Sequence, residues 1–155
     1  MSWIPSKFKI LGIWFTQNVT ECSKLNYSEK FSEIKILFKI WSRRILTPIG
    51  RVAILKSLIL SKLIHLWILL PNPPDNIIND VQKMCFQFVW NGKQDRVSRK
   101  TTVKPVKDGG LNIPNIRNYI SALKLMWIRK LKTTEHRWKD VILQIYPCFS
   151  EIDNY

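Results

Sequence analysis

Residues 41–70, WSRRILTPIGRVAILKSLILSKLIHLWILL, form the longest unbroken apolar pattern in the chain, and every other segment is read against them. Thr47 is a good helix N-cap, and Pro48 falls at the first helical position, where a missing N–H costs nothing and the fixed φ suits the helix. From there Ile49, Val52, Ala53, Leu55, Leu58, Ile59, Leu60, Leu63, Ile64, Trp67 and Ile68 cover far more than a single stripe. The helix is therefore expected to be enclosed on most of its circumference. Arg51, Lys56, Ser57, Ser61, Lys62 and His65 mark the polar side, and Pro71-Asn72-Pro73-Pro74 ends the run. A bilayer span needs about 20 predominantly apolar residues, which this stretch approaches. Its interior Lys and Arg residues each cost about 2.5–3.5 kcal/mol on insertion, so a buried helix is the reading and no membrane span is expected.

The segments outward from this helix read as further helices and one short β segment. Phe8 to Phe15, FKILGIWF, is aromatic and β-branched, and reads as a strand with a bulge or close backbone approach at Gly12. Its partner is either a nearby hairpin strand or lies outside the chain. Gln17 to Leu25 is polar and reads as a loop. From Ser28, Phe31, Ile34, Phe38, Trp41 and Ile45 step by three and four along one helical face, opposite Lys30, Glu33, Lys35 and Lys39. After the prolines a third helix is capped by Asp75, buries Ile77, Val81, Met84, Cys85, Phe88 and Val89, and closes at Trp90-Asn91-Gly92. Asn91 to Asn115 has neither period and reads as a long exposed connection. Beyond it, Ile116, Ile120, Leu123, Trp127 and Leu131 point inward from a fourth helix, and a last one runs from Glu135 to Tyr146.

The expected architecture is mainly α: a helical bundle with a short N-terminal β segment and a long basic loop. It divides into an N-terminal strand and loop (1–25), a three-helix core (26–92), a basic Gly/Pro-containing connection (93–114), C-terminal helices (115–147) and a tail (148–155). At 155 residues this is one domain's worth of chain.

Twenty-five Lys and Arg stand against 11 Asp and Glu, a formal charge of +14, which favours a polyanionic partner, either nucleic acid or an anionic membrane surface. Cys22, Cys85 and Cys148 match neither a zinc motif nor a disulfide framework, and the N-terminus lacks a secretory h-region. An intracellular protein, nuclear or cytoplasmic and not secreted, is expected. His65 and His136 have no carboxylate or cysteine at ligand spacing. There is no GxxxxGK[ST] or GxGxxG, and the acids are scattered, with no adjacent pair to hold magnesium. No catalytic residue, metal site or cofactor is expected.

The basic residues are the informative ones. Between Asn91 and Lys132 lie Lys93, Arg96, Arg99, Lys100, Lys104, Lys107, Arg117, Lys124, Arg129, Lys130 and Lys132, opposed only by Asp95 and Asp108. Most charge runs are solvated surface, but this one is local and nearly unopposed. Phosphate contact is therefore favoured, at Arg43, Arg44, Arg51, Lys93, Arg96, Arg99, Lys100, Lys104, Lys107 and Lys124, with a DNA or RNA duplex as the partner.

Four pieces, in order, resemble the thumb and post-thumb region of reverse transcriptases of non-LTR, LINE-type retrotransposons. They are KFKILGI (7–13), WSRRILTPIGRVAILKSLILSKL (41–63), FVWNGK (88–93) and KDGGLNIPNI (107–116), and together they cover about residues 7–130. The resemblance implies that the strand containing Lys9-Ile10-Leu11-Gly12 closes a polymerase palm, and that Trp41 to Leu63 belongs to a helical, thumb-like bundle. It further implies that the palm is the strand's absent packing partner. The family's catalytic aspartates, including a Tyr-x-Asp-Asp turn, precede that strand, and this chain begins six residues before it. The expectation is a noncatalytic fragment that keeps a duplex-gripping surface. The other reading is a helical scaffold or interaction module with no nucleic-acid role.

Overall fold

The computed structural model describes residues 7–133, 135 and 137–145. The chain is mainly α, with one two-stranded antiparallel sheet at its N-terminus. The segment expected as a single strand is a hairpin, β1 (Lys7–Ile10) and β2 (Ile13–Thr16), with Phe8 opposite Phe15 and Ile10 opposite Ile13. Leu11 (φ 49°) and Gly12 (φ 81°) make the two-residue turn. Positive φ at both central positions is what a type I′ turn demands, because its twist matches that of the strands. The strand's partner is thus its own second half. Ile13 is buried in the core, while all four residues of β1 are exposed.

Helix α1 spans Val19–Ser42 and starts nine residues before the expected Ser28, so the predicted loop over Gln17 to Leu25 is mostly helix. Asn18 caps it, its side-chain oxygen accepting from the Thr20 and Glu21 N–H groups. The buried Asn26 fixes this first part against the hairpin: its Oδ1 accepts from Trp14 N at 2.8 Å, and its Nδ2 donates to Trp14 O at 2.7 Å and to Cys22 O at 2.8 Å.

The central run begins as expected, with Thr47 Oγ1 accepting from Gly50 N at 3.2 Å and Pro48 in the first turn. It is not one straight helix. Helix α2 (Pro48–Ile54) passes into a π turn over Leu55–Ile59, closed by Leu60 N donating to Leu55 O, and then into α3 (Ser61–Leu69) at 47°. A π turn inserts one residue into the helical repeat and rotates the following pattern. Leu55, Ile59, Leu60, Leu63, Leu66 and Trp67 are buried, and the expected core residue Leu58 is 41% exposed. No single helix among the described residues is long and apolar enough to cross a membrane.

Helix α4 (Asp75–Val89) packs on α2 and buries Ile78, Val81, Cys85, Phe86, Phe88 and Val89, with Ile77 and Met84 only partly covered. Asp75 is its first residue rather than its cap, which is Pro74. Gly92 N donates to Gln87 O at 2.8 Å, and Asn91 and Gly92 both take positive φ, so this helix closes as the sequence implies.

The long connection is largely exposed, as expected, but carries short regular elements where the sequence shows no period. It contains α5 (Arg99–Val103), capped by Ser98, and a 3₁₀ turn (Val106–Asp108). Its return stretch pairs back on α5: Leu111 N and Ile113 N both donate to Thr102 O, and Asn112 N donates to Lys104 O. Ile113 enters the core, and Gln82 of α4 bonds both Pro114 O and Ile116 N. Helix α6 (Ile116–Thr133) lies against α3 and α4 and buries Ile116, Ile120 and Leu131. Trp127, expected inward, is exposed and meets Trp138 of α7 (Arg137–Ile145) edge to face. The tail at 148–155 lies outside the described residues.

Candidate nucleic-acid interface

Arg43 and Arg44 follow the last turn of α1 and are exposed, with the Arg44 guanidinium 5.3 Å over the Trp41 ring. Lys93 and Arg96 follow the last turn of α4 and are also exposed. Folding sets these two helix ends side by side around a cleft of about 330 Å³ lined by all four cations, together with Ser42, Ile45, Leu46, Trp90 and Asn91. No acidic side chain lines it. Cations at helix C-termini also offset the negative end of the helix dipole, so their placement suits the fold as well as an anion.

Arg51 also lines the cleft, but from its buried floor. It is 3% exposed, and its guanidinium donates to Phe88 O at 3.2 Å and Arg44 O at 3.1 Å, packed 5.3 Å over the Phe88 ring. Two of its nitrogens donate to carbonyls, so Arg51 holds the α1–α2 connector against the end of α4 and shapes the cleft from beneath. Lys124 is likewise structural: its Nζ donates to Leu70 O at 2.7 Å, ending α3. Partial burial holds its pKa below the ordinary lysine range.

The remaining cations are dispersed. Arg99 is exposed but paired with Asp95 at 2.8 Å and stacked 4.9 Å over Phe86. With Lys100 it borders a second recess of about 420 Å³. Lys104 and Lys107 are exposed on the loop and line neither recess. Two basic residues that the sequence reading left on the solvent face of α1, Lys35 and Lys39, line a groove of about 260 Å³ that adjoins the cleft at Ser42. Nothing local in the sequence marks them, because the neighbour that makes the groove is the end of α4.

Catalytic groups do not gather here. Among the described residues no three His, Cys, Asp or Glu side chains are grouped to hold a metal ion. Burial pushes the Cys85 thiol up to about 12, so it stays un-ionised and inert.

Fold and charge together define a mainly helical basic module with an acid-free cleft that joins two helix ends. No family model matches the sequence. The chain is 25% identical over 136 residues to the Transposon TX1 uncharacterized 149 kDa protein of Xenopus laevis, a match taking in 84% of this chain and 10% of that protein. The chain therefore spans about a tenth of the length of this transposon relative.

Proposed function

We propose that this chain is the thumb and post-thumb part of a LINE-type retrotransposon reverse transcriptase, and that it grips the phosphate backbone of a nucleic-acid duplex without regard to sequence. The observation that carries the reading is the cleft, where Arg43 and Arg44 meet Lys93 and Arg96 with no acid in the lining. Guanidinium groups fork onto phosphate oxygens, and backbone contacts of this kind position a duplex without reading its bases. Similarity to a transposon protein and the mainly α fold support the same origin. This reading gives the chain no polymerisation step of its own; among the described residues no three His, Cys, Asp or Glu side chains are grouped to hold a metal ion. A polymerase palm packs on the exposed strand β1, and the protein works where nucleic acid is found, in the nucleus or cytoplasm.

Duplex binding measured against salt tests this. Each neutralised phosphate contributes about −0.9 to the slope of log K against log salt, so four contacts give a slope near −3.6. Replacing Arg43, Arg44, Lys93 and Arg96 by Ala should flatten most of it. The pair Arg99→Ala and Lys100→Ala should change it less, because Arg99 already has Asp95. Absence of duplex binding at low salt, or a slope indifferent to the fourfold substitution, would favour the scaffold reading.

A further inference from the structure

Between the two arginines and the Thr47 cap, the chain carries a wholly exposed isoleucine, Ile45. Exposing a large aliphatic side chain forgoes the stabilisation its burial would bring, and here the backbone presenting it is held on both sides. On one side Arg44 O accepts from the buried Arg51, and Arg44 N donates to Trp41 O at 3.3 Å. On the other, Thr47 caps α2. Ile45 is thus the tip of a clamped connector, and it lines the same cleft as Arg43, Arg44, Lys93 and Arg96.

We infer that Ile45 is an apolar wedge that enters a groove of the bound duplex and partly unstacks a base step, while the surrounding cations hold the flanking phosphates. This rests on the phosphate-gripping reading above. Charge selects the occupant: a patch ringed by four cations with no lining acid fits a polyanion whose interior is apolar, and stacked bases between two phosphate rows are such a polyanion. Aliphatic side chains beside phosphate-binding Arg and Lys are a general means of prying base steps apart.

The test uses a DNA duplex and an RNA–DNA hybrid, each with 2-aminopurine at successive central positions. Binding of the full chain should raise the fluorescence of at least one position in one of these duplexes. Ile45→Ala should abolish that rise while keeping the salt slope, and Ile45→Met should restore it. Because Ile45 contributes nothing to the core, the Ala variant should melt with the parent. Normal, salt-sensitive binding with no fluorescence rise in either duplex, or a rise unchanged in Ile45→Ala, overturns the wedge and leaves phosphate gripping standing. Failure to bind either duplex removes both.

Discussion

Arg51 in the first turns of α2 donates to the carbonyl of Phe88, 37 residues further on, in the last turn of α4. A second nitrogen of the same guanidinium reaches the Arg44 carbonyl. One buried cation thereby fixes the two helix ends whose exposed cations form the cleft. Arg51→Ala should cost about 2–4 kcal/mol, since it leaves the Arg44 carbonyl without its donor, removes one of the bonds to the Phe88 carbonyl and empties a packed site. Arg51→Lys should fall between, because one ammonium cannot reproduce the fork. Arg43→Ala, on the surface, should stay within about 0.5 kcal/mol. Urea unfolding of the three decides it; an Arg51→Ala variant as stable as the parent would return Arg51 to the set of free phosphate contacts.

The central run also separates two of its leucines. Leu58 and Leu63 both belong to the wide apolar pattern, yet Leu63 is wholly buried and Leu58 is 41% exposed. Leu63→Ala should therefore cost about 2–5 kcal/mol, and Leu58→Ala less than about 1 kcal/mol. Equal losses would show that Leu58 is enclosed as fully as Leu63.

How far the sequence could be read follows the range of the interaction concerned. Thr47 and Pro48 act within one turn, so their cap was legible, as was the Asn91-Gly92 closure of α4. The start of α1 was not: Val19 to Leu25 has no apolar period, and its order comes from Asn18 and from Asn26 bonding Trp14 in the hairpin. The clustering of positive charge was visible in composition and position. Which cations meet was not visible, because Arg43 and Lys93 come to line one cleft only when α1 and α4 end side by side, and because the anchoring of Arg51 and Lys124 depends on carbonyls far away in the chain.

His65 should titrate low. Its partial burial comes first and the positive Lys30 second, with Lys62 adding to the effect and Glu33 opposing it. Glu33 itself is held below the ordinary carboxylate range by its hydrogen bond to Lys30 at 2.7 Å. Because the folded state binds the His65 proton more weakly than the unfolded chain, this contribution to stability is complete above about pH 6.5 and is lost as the pH falls through the lower folded pKa. Glu33→Gln should lower the His65 midpoint further by leaving Lys30 and Lys62 unopposed. An NMR titration of the His65 ring reads both; a midpoint at or above the ordinary histidine value, or no drop in Glu33→Gln, would contradict the arrangement.

Gly109 and Gly110 are adjacent and look alike in sequence, but they answer to different constraints. Gly109 has a φ of 75° and open space where a Cβ would stand, so an Ala there carries only the left-handed penalty, about 1–2 kcal/mol. Gly110 is buried, and a Cβ on it would collide with the Lys104 carbonyl and crowd the Thr101 carbonyl. Relief requires moving the stretch that pairs with Thr102 and Lys104 and carries Ile113 into the core, so Gly110→Ala combines overpacking with broken hydrogen bonds. Overpacking alone costs about 1–3 kcal/mol, and each buried carbonyl left unpaired adds about 1–3 kcal/mol. Gly110→Ala should be clearly the more destabilising of the two in urea unfolding, and should loosen exchange of the Leu111, Asn112 and Ile113 amides. If Gly109→Ala were the costlier change, or if those three amides kept their protection in Gly110→Ala, the loop would not be docked on α5 through that close approach.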